Sequence, residues 1–425
     1  MNKNAVKIIY VTRDVERALG TGPSEDYRIV TNRTPYSEEI QRRFPDFVTL
    51  IEPQKQADGS ALLSDTSGLL ESPITEKIIS GAKILVFKNT SIIESICQKK
   101  GWCLLNPGAE LAEKIENKIT QIEWLNESNG KTAAAGPAGL AQKYLPPHTV
   151  APLKDIKWKK EPLVIQWAHG HTGDGTILVN SGKELEALQT KFPERLARAT
   201  SFVNGPSFTL NIVVTRYAVH VGNVSYQITG LPPFTDNPFS TIGNDWSLTH
   251  TLLSEKEISD IENMAKEIGD KMAKDGWIGM CGIDVMRDEE RDKIFLIEIN
   301  ARQPASTTFE SLLQQENREM GVNGITIFEA YKMALLGDKI DAPIIHINDG
   351  AQIIKRVTKD GLPTASVSKD VINSLEQAGY KIIQYANFEY NLDQLRIQSK
   401  KGIMSAHAKF NPRGKEIVAL IDETL

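Results

Sequence analysis

The chain has 425 residues, enough for two or three domains that each bury a core. With 40% hydrophobic and 24% charged residues, and no apolar run near the roughly 20 residues of a membrane span, it falls outside the membrane and disordered classes. Its 49 Lys and Arg against 54 Asp and Glu give a net charge of -5, which leaves no global basic footprint for nucleic acid. The opening MNKNAVKIIYVTRD reaches Arg13 and Asp14 too soon for a signal peptide, so a cytoplasmic location is expected. Cys97, Cys103 and Cys281 are odd in number and lack metal-ligand spacing, as expected of reduced thiols packed as small core residues.

KIIYVT (7 to 12), AKILVFKN (82 to 89) and GWCLLN (101 to 106) read as short buried strands, with helices expected around 37 to 43, 74 to 80 and 91 to 99. This alternation predicts an open α/β sheet over the first 110 residues. No G-x-G-x-x-G follows any of these strands, so a dinucleotide fingerprint is absent. From the Pro-Gly turn at 107, Leu111, Ile115, Ile119, Ile122 and Leu125 recur at helical spacing and predict one long amphipathic helix. GKTAAAGPAG (130 to 139) reads as a flexible link.

A unit of about 145 to 205 follows, with strand PLVIQWA, glycine-rich loop HGHTGDG, strand TILVN and a helix from Gly182 to about Gln189. Three long β patterns come next, at 207 to 215, 217 to 230 and 276 to 288. Before the last lies a helix started by a Ser254 and Glu257 capping box, striped with Ile258, Ile261, Met264, Ile268 and Met272, and ended by Gly276. KIFLIEINARQ (293 to 303) closes this sheet, and the last 120 residues alternate strand and helix as a small C-terminal α/β unit.

The chemistry concentrates in the hairpin WIGMCGIDVMRD and KIFLIEINARQ around the turn DEERD. Alternation places Glu298, Asn300 and Arg302 on one face and Phe295, Ile297 and Ile299 on the other. Any antiparallel register with matching faces sets Asp284 opposite or diagonal to Glu298, where both carboxylates can share a hard cation. Mg2+ suits one or two carboxylates completed by phosphate and water, Asn300 adds a neutral oxygen, and Arg302 can hold an oxyanion beside it. In VIQWAHGHTGDGTILV (164 to 179), Gly170, Gly173 and Gly175 let backbone amides approach a polyphosphate, although a plain hairpin turn would read the same way. His169 and His171 have no third ligand nearby and do not make a zinc site.

Together these segments resemble the ATP-grasp superfamily: Lys118, the strand and loop of 164 to 179, TSFVNGPSFTLNIVV (200 to 214), G-x-D at 282 to 284 and E-x-N-x-R at 298 to 302. The resemblance implies α/β and α+β architecture, with an N-terminal open α/β domain over 1–112, an ATP-grasp domain over 113–310 with a flap subdomain at about 145–205, and a small C-terminal α/β subdomain over 311–425. It makes Asp284, Glu298 and Asn300 the ligands of Mg2+ or Mn2+, and Arg302 the catalytic contact to an acyl phosphate. ATP would be held by Lys118, by Gln166, by the flap residues Gly170, His171, Thr172, Gly173, Gly175 and Thr176, by backbone groups of Ser201 and Val203 at adenine, and by Ser207. Two positions depart from the pattern: Gln166 stands where the family usually has a phosphate-binding lysine, and Ser207 where it often has a ribose-binding glutamate.

The implied reaction is amide or peptide formation through an acyl phosphate, with release of ADP and phosphate, between a small carboxylate and an amine such as an amino acid or peptide. The tail INARQPAST resembles the ending found in ligases that couple amino acids. A biotin-carboxylase-like enzyme is the first alternative, weakened because QPAST stands in place of a Q-V-E-H run; an ATP-binding protein without turnover is the second. The loop GLPPFTDNPFSTIGNDW (230 to 246) is a candidate substrate loop, and the C-terminal unit is expected to complete the acceptor pocket or to form a homodimer contact.

Overall fold

The computed structural model describes residues 7–55, 61–79, 81–128, 131–132, 139–168, 175–359, 367–385, 387 and 389–422. It has a mixed α/β architecture built on three main sheets. In the first, five parallel strands lie in the order Val48–Ile51, Tyr27–Asn32, Ile8–Val11, Lys83–Val86, Cys103–Leu104. Two of these, Tyr27–Asn32 and Val48–Ile51, add to the strands expected from sequence. Helix Ser91–Lys99 shows how one cover of the sheet forms: Thr90 accepts from the Ile93 amide, and Ile93, Ile96 and Cys97 supply a buried stripe. Cys97 and Cys281 are buried as expected, whereas Cys103 is exposed on a short edge strand.

The segment after Pro107 is not one helix. Ala109–Glu116 and Thr120–Asn126 are separated by an extended Asn117 (φ -66, ψ 119). The Asn117 side-chain oxygen accepts from the Ile119 amide at 3.0 Å and the Thr120 amide at 3.4 Å, so it caps the second helix and competes with continuation of the first. Lys118 therefore sits in a break, its amide donating to the Ala168 carbonyl at 3.2 Å. Apolar periodicity carries no sign of this interruption, because both helices keep their apolar stripe.

Four antiparallel strands form the second sheet, in the order His148–Pro152, Leu196–Ser201, Leu163–Gln166, Thr176–Val179. With helix Gly182–Lys191 they enclose a small core of their own that includes Leu153, Ile165, Trp167, Val179 and Leu185. The third sheet is antiparallel and has nine strands. Its order runs Lys293–Asn300, Gly279–Asp288, Ser207–Val214, Ser225–Thr229, Thr241–Asp245, Ala351–Arg356, Asp393–Ser399, Lys381–Gln384, with Val219–Val221 beside Ser207–Val214. The last three strands of that order come from the C-terminal unit.

Helix Glu255–Lys274 begins at the expected capping box and buries Ile261, Met264, Ile268 and Met272 against the large sheet. Gly276 takes φ +91 after its end. The loop 230 to 246 divides: Pro238, Phe239, Thr241, Gly243 and Asn244 line the cavity of the candidate site, and other residues are structural. Phe234 and Trp246 are buried, and Asp245 accepts from the Leu248, Ile403 and Met404 amides. Among the described residues, no helix is long and apolar enough to cross a membrane.

Candidate active site

A cavity of about 600 Å3 opens between the four-stranded sheet and the nine-stranded sheet. Asp284 and Glu298 are direct partners across their antiparallel strands, and Gly282 pairs with Asn300. A bulge follows: Val285 pairs with Leu296 and Met286 with Phe295, leaving Ile297 without a partner. Strict alternation thus fails beyond Glu298, and Phe295 falls in register with the face of Asp284 instead of the opposite one.

Each carboxylate has a distinct set of neighbours. Asp284 receives Gln227 Nε2 at 2.9 Å and Asn300 Nδ2 at 3.0 Å. Burial, reinforced by the Glu298 charge, pushes the Asp284 carboxyl up to about 6. Glu298 Oε1 receives Lys118 Nζ at 2.9 Å, and Lys118 is only 5% exposed. Two carboxylates forced together in a partly dry cavity fit a divalent cation that phosphate and water can complete. Among the described residues no cluster of three or more His, Cys, Asp or Glu forms, so these two acids are the whole anionic donor set. Asn300, as oriented, turns Nδ2 to Asp284 and Oδ1 to Arg302 at 2.5 Å, and would have to rotate its amide to add an oxygen.

Arg302 follows the strand in a tight turn, its amide donating to the Asn300 carbonyl at 2.8 Å. Its guanidinium also reaches Glu116 Oε1 at 2.6 Å. Lys88 pairs with the other Glu116 oxygen, and although burial opposes the charge, Arg302 and Lys88 hold the Glu116 carboxyl below its usual range. The Phe87 ring carries two guanidinium groups, Arg17 at 4.6 Å and Arg302 at 5.9 Å from its centroid. Arg356 and Asp393 also line the cavity, which brings the C-terminal unit into the site.

Ser207, Ser201, Val203, Thr176, Gln166 and Lys118 line the cavity as well. The Ser201 amide is spent on the Pro147 carbonyl at 2.9 Å and cannot also serve a base edge, while the Val203 backbone makes no hydrogen bond among the described residues. Gly205 has φ +150, and a Cβ there would stand 2.0 Å from the Arg287 carbonyl oxygen, so only glycine lets this segment cross the sheet edge. Gly175 lies just inside the described residues at φ +81. Gly170, His171, Thr172 and Gly173, like His169, lie outside them.

The sequence did not single out Arg198. It pairs in register with Gln166, is 2% exposed and lines the cavity. Gln166 Oε1 accepts from Arg198 Nε at 3.0 Å and Nη2 at 2.5 Å; Nη2 also donates to the Ile297 carbonyl at 2.9 Å and Nη1 to Gln121 Oε1 at 3.3 Å. Burial lowers the guanidinium to about 10 against the opposing pull of Glu298. The available signal was a lone charge in the small-residue run LARATS, between Ala197 and Ala199. Thr209 and Gln227, polar residues inside apolar strands, gave a similar signal.

Residues 115–306 match the family described as ATP-grasp domain. No curated protein is detectably similar to the chain in sequence. Among solved structures, N5-carboxyaminoimidazole synthetase from Staphylococcus aureus complexed with ADP superposes with a TM-score of 0.62 at 12% identity, over 100% of both chains. An L-amino acid ligase from Bacillus licheniformis gives 0.55 at 15% identity, over 100% of this chain and 98% of that one. A biotin carboxylase from Campylobacter jejuni in its β,γ-ATP complex gives 0.59 at 14% identity, over 94% and 89%. At such identities the likeness establishes the fold.

Proposed function

From the premise that this chain carries an ATP-grasp domain over residues 115–306, and has the ATP-grasp fold throughout, we propose that it is an ATP-dependent carboxylate-amine ligase. Its substrates in this reading are a small carboxylate, an amino acid or peptide, and an amine. The observation that carries the proposal is the pairing of Asp284 with Glu298, with Lys118 bound to Glu298 and Arg302 bound to the neighbouring Asn300, in a cavity also lined by Arg17 and Arg356. The same reading keeps the division of the chain near residues 112 and 310.

ATP would lie with adenine near Val203 and its phosphates toward Lys118. Asp284 and Glu298, with Asn300 after amide rotation, would hold Mg2+ or Mn2+, which supplies charge neutralisation of the phosphate chain. Arg302 carries the positive charge beside the transferred phosphoryl group, and its bonds to Glu116 and Asn300 fix its plane before substrate arrives. Transfer of the terminal phosphoryl group to the carboxylate breaks its bond to ADP and gives an acyl phosphate. The amine then attacks the acyl carbon, phosphate leaves, and the amine proton passes to solvent or phosphate. No protein nucleophile is needed, since such transfers rest on positioning and charge.

The test is ADP release from candidate carboxylate and amine pairs in the presence of Mg2+, with hydroxylamine added to trap the acyl phosphate as a hydroxamate. The proposal expects hydroxamate only when a carboxylate substrate is present. ADP release with bicarbonate alone would move the reading to a carboxylase-like reaction.

A further inference from the structure

Arg198 presents a problem in electrostatics that its own contacts do not solve. A guanidinium removed from water ordinarily keeps a carboxylate beside it. Arg198 is 2% exposed, yet its hydrogen-bond partners among the described residues are all neutral: two side-chain amides and one backbone carbonyl. Those contacts use four of the five guanidinium N–H groups and leave one, on Nη1, unpaired.

What surrounds it gives the missing charge a place. Arg198 lines the cavity, as does Lys118. It is bonded to the carbonyl of Ile297, next in sequence to the Glu298 that receives Lys118. Two buried cations thus flank one carboxylate, while Asp284 stands across the strand pair. Gln166 is fitted to the arginine as a neutral clamp, since a single amide oxygen accepts from both Nε and Nη2. A clamp of this kind fixes the fork without quenching its charge.

We propose that Arg198 is a binding residue for the polyphosphate of the nucleotide, with Gln166 acting on it as a positioning residue. This rests on the ATP-dependent reading of the same cavity. The arginine supplies from the neighbouring strand the positive charge that Gln166 itself lacks, and the incoming phosphate chain supplies the direct anionic contact that Glu298, bonded to Lys118, does not make.

The experiment is calorimetric titration of the full chain with Mg-ATP and, separately, with Mg2+ and inorganic triphosphate, for wild type, Arg198→Gln and Arg198→Lys, alongside melting temperatures. Wild type should bind both probes. Arg198→Gln should lose at least tenfold in affinity for each, while Arg198→Lys, which keeps a cation, should lose clearly less. Arg198→Gln binding Mg-ATP within twofold of wild type would overturn the proposal, and so would equal losses in the two variants. If neither variant melts cooperatively, Arg198 belongs to the fold and the proposal also fails. Wild type that binds triphosphate but not ATP would instead remove the ATP-dependent reading, and the triphosphate comparison would still decide the role of Arg198.

Discussion

Lys118 Nζ lies 2.9 Å from Glu298 Oε1 although the two residues are 180 positions apart, and the lysine is almost wholly buried while the glutamate faces the cavity. The pair ties the break between two helices to the edge strand of the large sheet. A double-mutant cycle with Lys118→Met and Glu298→Gln should give a coupling of about 1–2 kcal/mol in denaturant unfolding, discounted for the partial exposure of the glutamate. Additive effects would show that the pair contributes nothing to the fold. Both single variants should lose turnover.

Without a divalent cation, ATP would bring its phosphates against two carboxylates. ATP affinity should therefore fall by at least tenfold in EDTA, and Mn2+ should restore it as well as Mg2+. Equal affinity with and without metal would remove Asp284 and Glu298 from the ligand set.

Arg302→Met keeps the length of the side chain and deletes its charge. Turnover should fall on the order of 100-fold while Mg-ATP affinity changes little, because the charge acts on the transferred group. Steady-state kinetics and calorimetry on the same preparation separate the two.

Gln166→Lys would place an ammonium against the buried Arg198 and remove the oxygen that accepts two of its hydrogen bonds. We expect a loss of about 3 kcal/mol in stability and weaker Mg-ATP binding. A gain in affinity would mean that the lysine displaces the arginine from its clamp.

Glu116 links Arg302 to Lys88 and is held ionised below its usual range. A folded value below the unfolded one gives stability that is present above the unfolded value of 4.5 and is lost as pH falls through the folded value. Glu116→Gln should thus be less stable than wild type at pH 7, and its deficit should narrow as pH falls below about 4.5. A deficit that persists at pH 3 would assign the effect to packing.

The strand pair of the site was legible because alternation and a polar turn are local. Matching faces set Asp284 opposite or diagonal to Glu298, although their direct pairing depends on the bulge at Ile297, and the capping box of Ser254 and Glu257 announced the helix they start. The bulge at Ile297 was not legible, since nothing in KIFLIEIN distinguishes a residue that drops out of register. The break at Asn117 was hidden for a related reason: a capping side chain matters only once the chain has turned. The joining of 351 to 399 onto the large sheet depends on pairing Thr241–Asp245 with a strand about a hundred residues later, and such contacts leave no local trace. Arg198 escaped because its role depends on partners from three distant segments, Gln121, Gln166 and Ile297.

The separate core of the four-stranded sheet bears on motion. Leu153, Ile165, Trp167, Val179 and Leu185 pack chiefly on one another, apart from the large cluster beneath the nine-stranded sheet. Such a unit can open below the free energy of global unfolding, held to the rest by a few polar bonds such as those of Arg198 to Gln121 and Ile297. Amide hydrogens of strands Leu163–Gln166 and Leu196–Ser201 should then exchange with deuterium well before those of Ser207–Val214 and Gly279–Asp288. The wall over the proposed nucleotide site is thus, by its own packing, expected to loosen before the large sheet it faces.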